Sequence, residues 1–234
     1  MLNNIMLLLP MGIAPAVAGL FYIYIRDKYE KEPIRLLAIG VLFGVVLTAP
    51  IIKTEEIVHR IIPPYEGLSG AFFSAFFAAA LVEEGLKFAV LYFLTWRNKN
   101  FNERFDGIVY SVFISLGFAG CENILYVLSP TMGGFSTALS RAAVSVPSHG
   151  FFGVTMGYYF ALAKFENHDN FSFIIKAFVW AFLIHGTFDF ILISGYEYYM
   201  IIFIPFLCIF WLNGFRKMKK HIELSPFKKV ALKT

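Results

Sequence analysis

Three charged side chains, Glu83, Glu84 and Lys87, lie inside an apolar run that extends from residue 69 to residue 95. A charge near the centre of a bilayer costs roughly 2.5–3.5 kcal/mol on insertion scales, so an ionisable residue in such a run indicates a functional site. On a helix, Lys87 lies one turn after Glu83 and three positions after Glu84. We therefore expect Lys87 to pair with one carboxylate and to leave the other free for a separate role.

The composition places the chain in the membrane class. Of its 234 residues, 58% are hydrophobic and only 15% are charged, and the mean hydropathy is +0.67. Such an apolar excess is too large for an ordinary soluble domain. Both cysteines, Cys121 and Cys208, fall in apolar runs, so no disulfide framework is expected. The net charge of +4 is concentrated in loops and at the C-terminus, which indicates membrane topology and no nucleic-acid partner.

Seven apolar runs are long enough to cross a bilayer as helices, which predicts an all-α polytopic transmembrane bundle. They are residues 4–25, 34–52, 69–95, 107–128, 137–163, 172–193 and 198–215. No Lys or Arg precedes the first run, so we interpret it as a retained span rather than a cleaved signal peptide. The domain prediction is one helical unit over 1–215, followed by a basic tail over 216–234.

The distribution of Lys and Arg predicts the orientation of the bundle. One set of connections and the tail carry most of the basic residues, whereas the other side has only Lys53, Arg60 and Arg141. The positive-inside rule then places the N-terminus outside and the C-terminus in the cytoplasm. The outer connection over 53–68 is either a short amphipathic helix on the outer leaflet or a solvated turn. Arg141 is interpreted as an interfacial residue.

Five further polar residues interrupt the later spans. They are Glu122 and Asn123 in the fourth span, His149 in the fifth, and His185 and Asp189 in the sixth. At 1.5 Å per residue, the predicted boundaries place them between the midplane and the outer interface. Groups that are costly to bury and lie in one layer predict a single hydrated cavity.

Local signals suggest how the helices meet around that cavity. Gly153 and Gly157 form a small-xxx-small pair that favours close helix approach. Pro147 is expected to bend the fifth span near His149. Asp106 directly precedes the fourth span and is interpreted as its N-cap.

The carboxylates and histidines of the predicted cavity suit the hydrolysis of an amide without a covalent intermediate. A carboxylate beside a histidine can act as general base on water, and a histidine with an aspartate one turn away can stabilise an oxyanion. No cofactor is required. Zinc remains open, because two histidines with carboxylates match a hydrolytic zinc site, although the chain has no His-Glu-x-x-His motif.

Two other classes of protein also accommodate buried Glu and His. A transporter would place charged residues through both halves of the membrane and would carry inverted repeats. A non-catalytic membrane scaffold or immunity protein would use the same groups to bind an ion or a partner.

Several short motifs, taken together, resemble the PrsW family of bacterial intramembrane proteases, which is related to the CAAX-protease and bacteriocin-processing group. They are Glu83-Glu84-x-x-Lys87, Phe105-Asp106-Gly107-Ile108-Val109-Tyr110, Gly117-Phe118-Ala119-x-x-Glu122-Asn123, His149 with Phe152-Gly153, and His185-x-x-x-Asp189. The turn Tyr29-Glu30-x-Glu32-Pro33 is also similar to the family. The resemblance extends through nearly the whole chain.

This resemblance implies a glutamate-type protease in the bacterial cell membrane. It would cut a single-span anti-sigma factor near the extracytoplasmic side and so begin a signalling cascade. Glu83 or Glu84 with a histidine would activate water, and His185 with Asp189 would hold the oxyanion. The related CAAX proteases have Phe-x-x-x-His where this chain has Phe118-x-x-x-Glu122, and Asn at the position of Asp189; His149 then supplies the missing histidine. The candidate catalytic residues are Glu83, Glu84, Glu122, His149, His185 and Asp189, with Lys87 and Asn123 in support and no metal ligand assigned.

Overall fold

The computed structural model describes residues 2–61, 66–166, 170–196 and 198–228. Over these ranges the chain is helical and contains no strand, which confirms the predicted all-α class. The helices are α1 (Leu2–Arg26), α2 (Ile34–Ile61), α3 (Gly67–Phe73), α4 (Leu81–Thr95), α5 (Arg104–Val127), α6 (Phe135–Ser140), α7 (Val146–Phe165), α8 (Asn170–Ile193) and α9 (Tyr199–Glu223). A π-helical segment joins α3 to α4 at Ser74–Ala80, and another joins α6 to α7 at Arg141–Ser145.

The described residues form one continuous helical rod for each of the seven predicted spans. Five of these rods, α1, α2, α5, α8 and α9, are unbroken and are long and apolar enough to cross a membrane. The other two, α3–α4 and α6–α7, each contain a π-helical segment. Such wide turns occur mostly as short insertions in α-helices and often lie at functional sites. Here they precede the Glu83-Glu84 pair and His149 by a few residues.

Helix α2 is longer than the second predicted span, and both interpretations of the outer connection are wrong over its described part. The helix continues through Pro50 as far as Ile61, with neither a separate surface helix nor a turn before that residue. One turn after the proline, the hydroxyl of Thr54 donates to the Pro50 carbonyl at 2.8 Å. Residues 62–65 of this connection lie outside the described residues.

Helix α5 lies at the centre of the bundle and packs against α1, α2, α4, α7 and α9. It is buried around almost its whole circumference, as expected of a helix that is apolar on every side. Its approach to α7 is so close that a Cβ atom on Gly157 would lie 2.2 Å from the carbonyl oxygen of Gly107. A Cβ atom on Gly153 would lie 3.0 Å from the Cα atom of Val112, so the close approach predicted from the glycine spacing is confirmed.

The N-cap of α5 is Glu103, and the prediction that Asp106 holds this position is wrong. Asp106 is the third residue of the helix, and its Oδ2 atom accepts hydrogen bonds from the backbone N–H groups of Asn102 and Glu103, both at 2.8 Å. The helix starts earlier than the apolar run because its first turn, from Arg104, is polar. The side chain of Asp106 therefore satisfies donors that precede the helix, as in a capping box.

The loop between α1 and α2 folds against the beginning of α5. The Tyr110 hydroxyl donates to the carboxyl group of Glu32, and the Glu32 N–H donates to Asp27 Oδ2 at 3.2 Å. Because burial disfavours the charged form, it raises the pKa of Asp27 to about 7 and the pKa of Glu32 to about 10.

Helix α9 continues past residue 215 to Glu223, so there is no structural break at the predicted start of the basic tail. The ring of His221 stacks on Tyr158 with centroids 4.2 Å apart. Its Nδ1 atom lies 3.0 Å from the carbonyl oxygen of Arg104, which makes that nitrogen the donor. The last turns of α9 thus pack against α5 and α7, and residues 229–234 lie outside the described residues.

Candidate active site

A cavity of about 380 Å³ opens among the C-terminal ends of α2, α5 and α8 and the N-terminal ends of α4 and α7. All of these ends lie on the side predicted to be extracytoplasmic. The ionisable side chains that line it are Glu55, His59, Glu83, Glu122, Tyr126, Arg141, His149, His185 and Asp189. Five of the predicted site residues therefore line one cavity, namely Glu83, Glu122, His149, His185 and Asp189, whereas Glu84, Lys87 and Asn123 are buried and do not line it. The volume of the cavity is typical of a small-ligand pocket.

Lys87 holds both members of the glutamate pair, so the expectation that one carboxylate stays free of it is wrong. Its Nζ atom lies 2.8 Å from Glu83 Oε2 and 2.9 Å from Glu84 Oε1. The three residues are at most 4% exposed. The carboxylates differ in position, because Glu83 lines the cavity whereas Glu84 is completely buried behind it. Glu83 is therefore the member of the pair that can meet a substrate or a water molecule.

His185 lies between two carboxylates on opposite sides of its ring. Nδ1 is 2.9 Å from Glu84 Oε1, and Nε2 is 3.2 Å from Asp189 Oδ2. The ring also stacks on Phe152, with centroids 4.5 Å apart. A neutral imidazole can donate through only one nitrogen, so both contacts are satisfied together by the imidazolium form or by a protonated carboxyl group. This geometry fixes the position and plane of the ring.

His149 connects the lysine to a third carboxylate. Its Nδ1 atom lies 3.5 Å from Lys87 Nζ, and its Nε2 atom lies 3.3 Å from Glu122 Oε2. An ammonium group can only donate, so Nδ1 is the acceptor and Nε2 carries the proton that faces Glu122. His149 and His185 pack edge to face, with ring centroids 5.2 Å apart.

Arg141, interpreted from the sequence as an interfacial residue, is part of the site. Its Nη2 atom lies 2.6 Å from Glu122 Oε2, and its Nε donates to Asn123 Oδ1 at 3.0 Å. Asn123 donates in turn to the carbonyl oxygen of Gly12 at 2.8 Å. The π-helical segment that begins at Arg141 places this residue on the cavity side, a shift that a regular 3.6-residue count does not predict.

Besides Tyr126 on the last turn of α5, the ionisable cavity residues that the sequence did not identify are Glu55 and His59. Both lie on the unexpected extension of α2. The available signal was helical spacing of the apolar residues that follow Glu55, which indicated a helix but not its continuity with the second span. Their position at the rim makes them candidates for contact with a substrate.

The contacts form one chain of polar groups across four helices. In spatial order it passes through Arg141, Glu122, His149, Lys87, Glu84, His185 and Asp189, with Glu83 joined to Lys87. It contains four carboxylates but only two Lys or Arg side chains. Such a network holds each group in a defined orientation and lets protons move between neighbours.

A divalent metal suits the donor types but not their arrangement. Glu83, Glu84, His149 and His185 each offer one atom, and these atoms lie within 4.8 Å of one another, which matches the ligands of hydrolytic zinc. However, the Lys87 ammonium lies among them, 2.8–3.5 Å from atoms of Glu83, Glu84 and His149. A second cation beside it would be repelled, and an ammonium group cannot act as a ligand. As arranged, the four residues do not fit a bound metal.

A second cavity, of about 350 Å³, lies between α1, α5, α7 and α9. Its lining is almost entirely apolar and includes Pro15, Leu116 and Phe151. Its lining contains no carboxylate and no histidine, so it lacks the groups that the hydrolysis of an amide by activated water requires.

A bundle of membrane-spanning helices that encloses a carboxylate–histidine network has the groups that a membrane-embedded hydrolase needs. Residues 32–211 match the family described as PrsW family intramembrane metalloprotease, so the chain belongs to the PrsW family of intramembrane proteases and is a peptidase. The word metalloprotease in that description contrasts with the position of Lys87 in this structure.

Curated relatives extend the match over almost the full chain, and each is named Protease PrsW. The protein of Geobacillus kaustophilus (strain HTA426) is 39% identical over 216 residues, which cover 91% of this chain and 91% of the relative. The protein of Bacillus subtilis (strain 168) is 37% identical, covering 89% and 93%. That of Clostridioides difficile (strain 630) is 36% identical, covering 92% and 91%. No solved structure was found that matches the chain.

Proposed function

We propose that this protein is a multi-pass endopeptidase of the bacterial cell membrane that cuts a single-span membrane protein near its extracytoplasmic side. One observation carries the proposal: Glu83 and His185 line the same cavity, and each is fixed from behind, Glu83 by Lys87 and His185 by Glu84. A general base and an oxyanion donor held within one cavity form the minimum set for hydrolysing an amide with water.

In the proposed reaction Glu83 is the general base. It takes a proton from a water molecule as the water oxygen attacks the scissile carbonyl carbon, and it then passes that proton to the departing amide nitrogen as the C–N bond breaks. Lys87 orients the Glu83 carboxylate through Oε2. No step passes through a metal, so cleavage by the purified protein should persist in the presence of a chelator.

His185 stabilises the oxyanion in this proposal. Glu84 fixes the ring through Nδ1, and the substrate carbonyl takes the place of Asp189 at Nε2–H. Asp189 is suited to this exchange, since its side chain is 25% exposed whereas that of Glu84 is fully buried. His149, Glu122 and Arg141 position the network from the opposite side, and Asn123 supports Arg141.

We further propose that the substrate is an anti-sigma factor. The resemblance to the family supports this class, and the position of the cavity supports cleavage near the outer leaflet. A single-span substrate suits a cavity that opens at one end of a helical bundle.

The transporter alternative is disfavoured by the distribution of charge. Between the cavity and the opposite end of the bundle, the helices contain no Asp, Glu, Lys, Arg or His over 36–52, 88–95, 107–121, 150–163 and 177–184. A proton or ion carrier needs a path through that layer. A substrate-dependent ion flux in liposomes would contradict the proposal.

The decisive experiment is co-expression of the full chain with tagged single-span membrane proteins from the same genome. Parent and Glu83→Gln are compared, with Glu56→Gln as matched control because Glu56 is exposed on α2 and pairs with the exposed Lys53. The proposal expects one tagged protein, an anti-sigma factor, to be shortened by parent and control but not by Glu83→Gln. Equal cleavage by all three would refute the assignment of Glu83, and biological activity after Glu83→Gln combined with Glu84→Gln would favour a non-catalytic scaffold.

A further inference from the structure

A second group of carboxylates lies at the opposite end of the bundle, on the side predicted to be cytoplasmic. Two sequence motifs that the proposed reaction does not use meet there: the turn 29–33 before α2 and the segment 105–110 at the start of α5. One carboxylate oxygen from each of Glu30, Glu32 and Asp106 lies within 4.8 Å of the others. We call these three residues the acidic cluster.

Two members of the acidic cluster are fully buried, the third is partly buried, and the cluster is only partly satisfied by hydrogen bonds. Glu32 is 1% exposed and Asp106 is 0% exposed. One oxygen of Glu32 accepts from the Tyr110 hydroxyl, and one oxygen of Asp106 accepts two backbone N–H groups. The remaining oxygens, Glu32 Oε1 and Asp106 Oδ1, together with Glu30 Oε2, are buried and accept no hydrogen bond from the described residues.

The acidic cluster also lacks cationic partners, in contrast to the active-site cavity. Within the described ranges, no Lys, Arg or His nitrogen lies within 4.0 Å of a carboxylate oxygen of Glu30, Glu32 or Asp106. The nearest lysine in sequence, Lys31, donates its ammonium instead to the backbone carbonyls of Tyr24 and Asp27. In the cavity, by comparison, every carboxylate of the network contacts Lys87, Arg141 or a histidine.

Buried carboxylates without counter-charge are strongly destabilising, so something must compensate them. A proton shared between Glu32 and Asp106 would compensate one charge and would leave the charge of Glu30 facing the neutral side chain of Asn102. A divalent cation would compensate two charges and could bind one oxygen of each residue. Three carboxylates with no nitrogen or sulfur donor suit a hard cation such as Mg²⁺, Ca²⁺ or Mn²⁺, with water completing the coordination, and do not suit zinc.

We propose that the acidic cluster binds one hard divalent cation, which fastens the loop between α1 and α2 to the N-terminus of α5. The site is independent of the reaction at the other end of the bundle. Its role is structural, because the loop and α5 are brought together here by carboxyl groups that would otherwise repel one another.

The test measures metal binding rather than activity. The purified full chain in detergent is stripped with a chelator and titrated with Mn²⁺, with free Mn²⁺ followed by electron paramagnetic resonance and the melting temperature measured in parallel. The proposal expects one Mn²⁺ per chain and a higher melting temperature in its presence. Glu30→Gln should weaken binding by about tenfold or more, because it removes a charged ligand. Glu30 is the chosen position because it is only partly buried and is not needed to cap α5.

Two further variants give the experiment its controls. Glu56→Gln removes an exposed carboxylate from α2 and should bind Mn²⁺ like the parent. Glu84→Gln alters the active-site network and should also leave Mn²⁺ binding unchanged, which separates the two ends of the bundle. Absence of Mn²⁺ binding by the folded parent would overturn the proposal in favour of a shared proton. So would equal binding by parent and Glu30→Gln, or loss of binding in Glu84→Gln.

Discussion

Glu84 and His185 are 101 positions apart in the sequence, yet Oε1 of Glu84 lies 2.9 Å from Nδ1 of His185. The same oxygen contacts Lys87 Nζ at 2.9 Å. Glu84 is thus committed to orienting two other groups, while Glu83 retains access to the cavity. This division of roles between adjacent glutamates makes their variants distinguishable.

Glu83→Gln should reduce cleavage by about 10²–10⁴-fold, the usual contribution of a general base. Glu84→Gln should reduce it by about 10–100-fold, since the amide can still contact His185 and only the charge that orients the ring is lost. Cleavage of a tagged substrate in membranes, normalised to the amount of folded protein, measures both. A larger loss for Glu84→Gln than for Glu83→Gln would reverse the two roles.

Asp189→Asn should retain more activity than Asp189→Ala. Before the substrate binds, the amide oxygen of asparagine can accept from Nε2–H of His185 and hold the ring in place, whereas alanine leaves that nitrogen without its i,i+4 partner until the substrate carbonyl takes the position. We expect a loss of about tenfold or less for asparagine and a clearly larger loss for alanine. Initial cleavage rates, measured over a range of substrate expression levels, compare the asparagine and alanine variants. Equal rates would show that the side chain of Asp189 does not hold His185.

Lys87→Ala should convert the site into a zinc-binding site. Removing the ammonium group leaves two histidines and two carboxylates with nothing among them, a donor set that zinc prefers. Without metal, this variant should be less stable by about 3–5 kcal/mol, the cost of leaving buried charges uncompensated. The prediction is that Zn²⁺ raises the melting temperature of Lys87→Ala and leaves that of the parent unchanged. Zinc-dependent stabilisation of the parent would show that Lys87 does not occupy the metal position.

Arg141→Met should destabilise the protein by about 1–3 kcal/mol, because it removes the charged partner of Glu122 in a partly buried setting. Adding Glu122→Gln to Arg141→Met should recover part of that loss, since the remaining charge is removed as well. A double-mutant cycle on chemical or thermal unfolding in detergent gives the coupling. Additive effects would mean that the 2.6 Å contact contributes no stability.

Gly157→Ala should be strongly destabilising, by about 1–3 kcal/mol or more, because the new methyl group would meet the backbone of Gly107. Gly150→Ala on the same helix is the control, since its Cβ would lie at an ordinary 3.5 Å from a side-chain atom of Leu116. Comparable melting temperatures for the two variants would show that α5 and α7 can separate without cost.

The sequence predicted the architecture well because membrane insertion imposes simple rules. Each apolar run became a helical rod, and polar residues within the runs, such as Glu83, His149 and His185, came together because burial in lipid would have been costly. The i,i+4 contact between His185 and Asp189 also followed from helix geometry alone.

The failures have equally specific causes. Arg141 was not recognised as a site residue because a π-helical segment alters which residues face the cavity. Glu55 was missed because α2 continues as one helix through Pro50. The start of α5 was predicted about one turn too late, with Asp106 as its N-cap, because hydrophobicity marks the membrane boundary and not the first hydrogen-bonded turn. Such details depend on backbone hydrogen bonds, which composition does not record.

The wide turns at Ser74–Ala80 and Arg141–Ser145 have a consequence for how this protein tolerates insertions and deletions. Deleting one residue from a helix rotates everything beyond it by about 100°. A π-helical turn, in contrast, already holds more residues than a regular turn, so one residue lost from Ser74–Ala80 can be absorbed by closing that turn, with the glutamates still facing His185. A gap of one amino acid should therefore disturb the site less at either wide turn than in the regular parts of the same rods.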